Sequence, residues 1–162
     1  MARMDNKIIV GIADMKLVQD PGLLVTYALG SCVGICLYDP ILRLGALIHI
    51  MLPLNMEAGR KNVFKYADTA IRETLNQMAI KGAARPRIMA KIAGGAKMFE
   101  LTGGNLGSIG QRNIESVRIA LKREGIRLAG EDVGGTVART LLFNVSNGQA
   151  IVRSFGHPEK II

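Results

Sequence analysis

The chain predicts an α+β fold: a sandwich of mixed and antiparallel sheets with two main helices on the outside. Three observations point there. Short runs bounded by Gly, Pro, Asn and Asp, such as Val33 to Tyr38 and Leu44 to Leu52, read as strands joined by hairpins. Only two stretches, following Asn62 and Asn113, carry apolar residues at helical spacing. Strands before and between two good helices are the pattern of an α+β sandwich. At 162 residues with 49% apolar content, the chain reads as one domain with a single good core.

In order, Ile8 to Asp14 and Lys16 to Gln19 read as short strands, Asp20-Pro21-Gly22 as a turn, and Leu23 to Ala28 as a strand. Gly30 and Ser31 break that run just before Cys32. Val33 to Tyr38 and Leu44 to Leu52 then form a hairpin about a turn over Asp39 to Leu42, and Pro53 ends it. Asn55 to Arg60 is a polar loop of the kind that covers a site or grips a substrate. Asn62 caps a helix with Val63, Ala67, Ala70, Ile71, Leu75 and Met78 inward, closed by Gly82. Arg87 to Ala93 is a strand. Asn113 caps a second helix through Glu124, with Ile114, Val117, Ala120 and Leu121 inward and Gly125 after it. Ile126 to Ala129, Ala138 to Val145 and Gln149 to Arg153 complete the sheets, the last two joined by a type I′ turn at Asn147-Gly148. Residues 156–162 form a loose tail.

Composition excludes several classes. No apolar stretch approaches the 18 or so residues of a membrane span, and Met1 to Lys7 is not followed by the apolar core of a signal peptide. A cytoplasmic protein without membrane insertion is expected. The net charge of +8 is spread over scattered Lys and Arg, aromatics make up 4%, and no nucleic-acid motif is present. An acidic protein partner, or ordinary solubility, fits that charge better than nucleic acid. Gly94-Gly95, Gly103-Gly104, Gly107 and Gly110 are dense enough to suggest phosphate cradling. Yet there is no Gly-Lys-Ser/Thr and no Gly-x-Gly-x-x-Gly opening a helix. Close backbone approach, to a peptide substrate or to the Cys32 turn, is the preferred reading. Cys32 and Cys36, on one strand, would lie about 13 Å apart, too far for a disulfide. No Cys/His cluster suggests zinc, and no cofactor is expected.

Cys32 is the candidate for chemistry. Gly30-Ser31 frees the backbone to turn sharply and present the amides of Ser31 and Cys32 as oxyanion donors beside a thiol. If Tyr38 faces Arg43 across the hairpin, the same register sets Cys32 opposite His49, with Cβ atoms about 4.5–5.5 Å apart. A free cysteine in an apolar run is usually a small buried hydrophobe, and a lone histidine in an apolar strand more often a satisfied core residue; the hairpin pairing raises the two above that reading. Imidazolium at His49 would lower the Cys32 pKa. Cys36 reads as core.

Several segments together resemble the CheD family. They are Val25 to Gly34 around Gly-Ser-Cys, Asp39-Pro40, His49 to Pro53, Lys65 to Ala70, Lys91 to Phe99, Ile109 to Asn113 and Glu131 to Gly135, spread over roughly Val10 to Ser154. The resemblance implies a chemoreceptor glutamine deamidase: Cys32 as nucleophile, His49 as general base and acid, and Thr26 as the third member, whose hydroxyl holds the imidazole. Glutamate would form through a thioester, with methyl-ester hydrolysis as a possible side reaction. The resemblance also implies the cysteine-hydrolase fold of the cytotoxic necrotizing factor toxins. The implied partners are receptor helices and the CheC phosphatase, with Gly94, Gly95, Phe99 and Arg112 as candidate contacts. A non-enzymatic module that stimulates CheC is the alternative.

Overall fold

The computed structural model describes residues 7–54, 62–98 and 108–162. Among them, β1 (Lys7–Ile9), β3 (Leu23–Leu29), β8 (Arg139–Asn144), β9 (Gln149–Arg153) and β10 (Lys160–Ile161) pair in that order into one sheet. A second sheet runs β2 (Asp14–Gln19), β5 (Leu44–Ile50), β4 (Val33–Asp39), β6 (Met89–Gly94) and β7 (Arg127–Val133). Both are mixed: β1–β3 and β6–β7 are parallel, and the other pairs antiparallel. Helices α1 (Ala67–Ile80) and α2 (Ile109–Arg123) complete the described secondary structure, apart from two short 3-10 turns.

Burial explains the layering. Every residue of β4 and β5 is buried, so the second sheet must be covered on both faces. Cys36, Leu47, Leu24, Leu141 and Phe143 close the face between the sheets. Ile35, Ile48 and Ile92 meet Ile71, Leu75 and Val117 of the helices on the other. Each such side chain, fully buried, contributes about 1.5–3 kcal/mol. The expected sandwich with outer helices is present, but both helices share one face, giving layers of sheet, sheet and helices.

Several local expectations are corrected. The strand expected from Ile8 stops at Ile9, and Ala13 (φ 57°) turns the chain into β2. Asn62 caps a 3-10 turn, Val63–Lys65, by accepting from the Phe64 amide, and α1 follows it. Helix α2 starts before Asn113: the Ser108 hydroxyl accepts from the Gln111 amide. A Ser-x-x-Gln capping box at 108–111 was the overlooked signal. Asn144 pairs with Gln149, so the β8–β9 loop has four residues instead of a two-residue type I′ turn. The tail is docked, with Lys160 paired to Val152 and the Ile162 amide donating to the Ala150 carbonyl. Those backbone bonds override the fraying expected of a charged, Pro-containing terminus.

The β4–β5 register also differs. Asp39 pairs with Leu44, leaving Pro40 to Arg43 as the loop, with Arg43 left-handed at φ 50°. The fully buried Asp39 carboxylate shapes this loop by accepting from the amides of Ile41, Leu42 and Ala84 and pairing with Arg87 at 2.8 Å. Burial alone would raise its pKa; Arg87 and the three amides outweigh that and hold it below the usual carboxylate range. In this register Gly34, not Cys32, lies opposite His49. The shift is by two residues, so the faces of the paired strands are not exchanged, and Cys32 itself lies just beyond the last pair, Val33 with Ile50.

Candidate active site

The site forms where the chain crosses from one sheet to the other. β3 ends at Leu29, Gly30 to Cys32 make the crossing, and β4 begins at Val33. Between Thr26 and Leu29 the pairing of β3 with β8 shifts, and Ala28 adopts φ 57°. A bulge of this kind bends its strand and increases the local twist.

His49, on β5 and 1% exposed, faces the space between the sheets, and fully buried Thr26 reaches it from β3. Thr26 Oγ1 lies 2.7 Å from His49 Nδ1 and 2.8 Å from the Val10 carbonyl oxygen. A hydroxyl has one proton. The arrangement that satisfies all three groups has Thr26 donating to Val10 and accepting from His49 Nδ1–H. His49 Nε2 is then unprotonated, and it is buried with no hydrogen-bond partner among the described residues. Gly34 suits the close packing there: a Cβ would come 2.9 Å from a Leu141 methyl and 3.1 Å from a Leu29 methyl, which would have to shift. A glycine inside a strand signals such an approach in sequence; the Val10 carbonyl left no signal.

Cys32, half-exposed and free, follows a turn whose three carbonyls are all occupied. Gly30 O accepts from the Ala96 amide and Cys32 O from the Gly95 amide, each at 2.8 Å. Ser31 O accepts from Asn113 Nδ2 at 2.9 Å. Among the described residues, no carbonyl accepts from the Ser31 or Cys32 amide, and the Cys32 amide interacts with its own sulfur. Gly94 is left-handed at φ 114°, and a Cβ there would stand 2.3 Å from the Cys32 carbonyl oxygen. Gly94 and Gly95 are therefore buried supports of the turn, the close backbone approach expected of them, and offer no free surface to a partner. Arg112 is exposed on α2 and lines a 310 Å³ groove with Leu54, Asp68, Ile119 and Arg123. Phe99, the 55–60 loop and the glycines at 103, 104 and 107 lie outside the described residues. A cleft of 530 Å³ near Asp132, His157 and Lys160 does not include Thr26, Cys32 or His49.

The electrostatics overturn one expectation. Burial pushes the Cys32 thiol pKa up, and burial lowers that of His49 to about 4. Near pH 7 the pair rests as thiol and neutral imidazole, not as thiolate and imidazolium. No carboxylate partners either group among the described residues, so burial dominates both shifts. The cluster suits a base that takes a proton only as a bond forms.

Fold and site together define a class: a protein layered sheet, sheet and helices, with a free cysteine at the crossing between its sheets and a threonine-anchored histidine on the strand paired with the one that follows the crossing. A family model described as CheD chemotactic sensory transduction matches residues 51–154. The chain belongs to the CheD family. It is 46% identical over 160 residues to a probable chemoreceptor glutamine deamidase CheD of Desulfitobacterium hafniense, covering 98% of this chain and 100% of that protein. To the chemoreceptor glutamine deamidase CheD of Thermotoga maritima it is 42% identical over 157 residues, 96% of each chain. Among solved structures it resembles the Bacillus licheniformis hypothetical protein YfiH, with TM-score 0.47 and 15% identity over 76% of this chain and 50% of that one. Among the described residues, no helix is long and apolar enough to cross a membrane.

Proposed function

We propose that this protein is a cytoplasmic deamidase that converts glutamine side chains of chemoreceptors to glutamate with Cys32 as nucleophile. The observation that carries the reading is the unpartnered His49 Nε2, left unprotonated because Thr26 binds the opposite nitrogen. The names of its CheD relatives supply the substrate class.

Cys32 Sγ attacks the carboxamide carbon as its proton passes to His49 Nε2. The oxyanion accepts from the Ser31 and Cys32 amides. When the tetrahedral species collapses, the C–N bond breaks and His49 returns its proton to the departing nitrogen, releasing ammonia and leaving a thioester. Water, losing a proton to the same Nε2, attacks the thioester; the C–S bond breaks, glutamate leaves, and His49 returns that proton to Sγ to restore the thiol. A methyl ester differs only in its leaving group, so esterase activity follows from the same steps. Coupling each transfer to bond formation avoids a standing ion pair, in keeping with the opposed pKa shifts. The exposed Arg112 and its groove are available to receptor helices and to CheC, the partner the family resemblance implies.

Mass spectrometry of receptor cytoplasmic helices incubated with wild type, Cys32→Ala and His49→Ala tests this. Conversion by wild type and by neither variant is expected. Equal conversion by Cys32→Ala would remove the thiol from the reaction. No conversion by any of the three, with CheC still bound, would leave the binding module as the better reading.

A further inference from the structure

Asn113 has a second task that its place in a helix does not require. It is fully buried on the inner face of α2, and its Nδ2 donates two hydrogen bonds, both 2.9 Å, to Ser31 O and to Met51 O. Ser31 immediately precedes the nucleophile. Met51 lies two residues after the histidine, where β5 has ended. One planar amide therefore ties the backbone carrying Cys32 to the backbone carrying His49, across 82 and 62 residues of sequence respectively. The β4–β5 ladder joins the two strands as far as Val33 and Ile50, and the Asn113 amide extends that tie to the two carbonyls just beyond it.

Its environment argues against a filler role. Buried polar groups persist when they are satisfied, yet Asn113 Oδ1 has no partner among the described residues. Among the described residues, only the donor half of the amide is used. Ser116, three residues further along the same helix, donates to Pro53 O. That bond fixes the exit of the same segment but touches neither the Cys32 turn nor β5.

We propose that Asn113 is a positioning residue: its Nδ2 fixes the distance between Cys32 and His49 by holding the carbonyls of Ser31 and Met51 to one atom. The inference rests on the deamidase reading for its kinetic consequence and on the two hydrogen bonds alone for the hold on the two backbone segments. Asn113→Asp keeps the shape but replaces both donors with an oxygen facing two carbonyl oxygens, so the turn and the strand end move apart. A misplacement on the ångström scale costs about 100-fold in rate.

The test compares wild type, Asn113→Asp, Asn113→Ala, His49→Ala and, as a helix control, Ser116→Ala. Each is checked for a cooperative thermal transition and then measured in two ways. The first is kcat and KM for glutamine conversion in receptor helices. The second, without substrate, is the rate of Cys32 alkylation by iodoacetamide against pH. Both Asn113 variants should lower kcat about 10- to 100-fold with KM within about twofold, and bring alkylation to the His49→Ala rate. Ser116→Ala should keep both rates within about twofold of wild type. Folded Asn113 variants with wild-type kcat and alkylation overturn the proposal, as does an equal loss in Ser116→Ala. If wild type converts no glutamine, the deamidase reading fails while alkylation still decides the positioning role. Should neither Asn113 variant fold, NMR of the wild-type Asn113 side-chain amide replaces them. Slow exchange and a shift on Cys32 alkylation support the clamp; rapid exchange overturns it.

Discussion

Thr26→Val is the sharpest probe of the proposed chemistry. Valine has nearly the same shape, so the seam beside Gly34 stays filled while the hydroxyl disappears. The Val10 carbonyl and His49 Nδ1–H then lose their partner in a buried setting, at about 1–3 kcal/mol of stability each. The kinetic effect follows from the tautomer. Without the hydroxyl nothing favours Nδ1–H, and the imidazolium formed during attack loses a charge-assisted bond worth about 1.5–3 kcal/mol. At 1.36 kcal/mol per decade, kcat should fall by about 10- to 100-fold. Thr26→Ser, which keeps the oxygen, should recover most of it. Glutamine-to-glutamate conversion by mass spectrometry, with thermal melts alongside, reads both effects. A folded Thr26→Val protein with kcat within twofold of wild type would refute the tautomer argument, since Thr26 would then neither orient nor charge-stabilise His49.

Two other outcomes are expected. His49 titrates near pH 4 when folded and near 6.5 when unfolded. Between those values the unfolded chain binds more protons. The stability due to neutral His49 is complete above pH 6.5 and is lost as pH falls toward 4, by at most about 3 kcal/mol. Urea unfolding at pH 7.5 and 5 should show a larger drop for wild type than for His49→Ala; equal drops would contradict the burial effect. Separately, Gly94→Ala would drive a Cβ into the Cys32 carbonyl at a left-handed φ. It should reduce conversion at least about tenfold, the scale of a displaced reacting group. Gly134→Ala, left-handed but facing open space, should cost only about 1 kcal/mol of stability and little activity. Comparable activity in the two variants would mean that the Cys32 turn tolerates displacement.

The sequence by itself determined the elements that depend on near neighbours. The β4–β5 hairpin, the inward stripes of both helices and the sheet-forming runs are written in periods of 2 and 3.6, set by backbone geometry. The candidate residues were legible too: Gly-Ser-Cys at a strand edge, and a histidine on the same face of the next strand. The tertiary structure alone decided what lies between elements. An Asp39-capped loop with left-handed Arg43 moved the register by one pair-step, and burial between two sheets reversed the expected charging of Cys32 and His49. Asn113 reads locally as a helix cap. Only the packing of α2 against the sheet crossing brings its amide to Ser31 and Met51, because hydrogen bonds between residues this far apart leave no periodic trace in the chain.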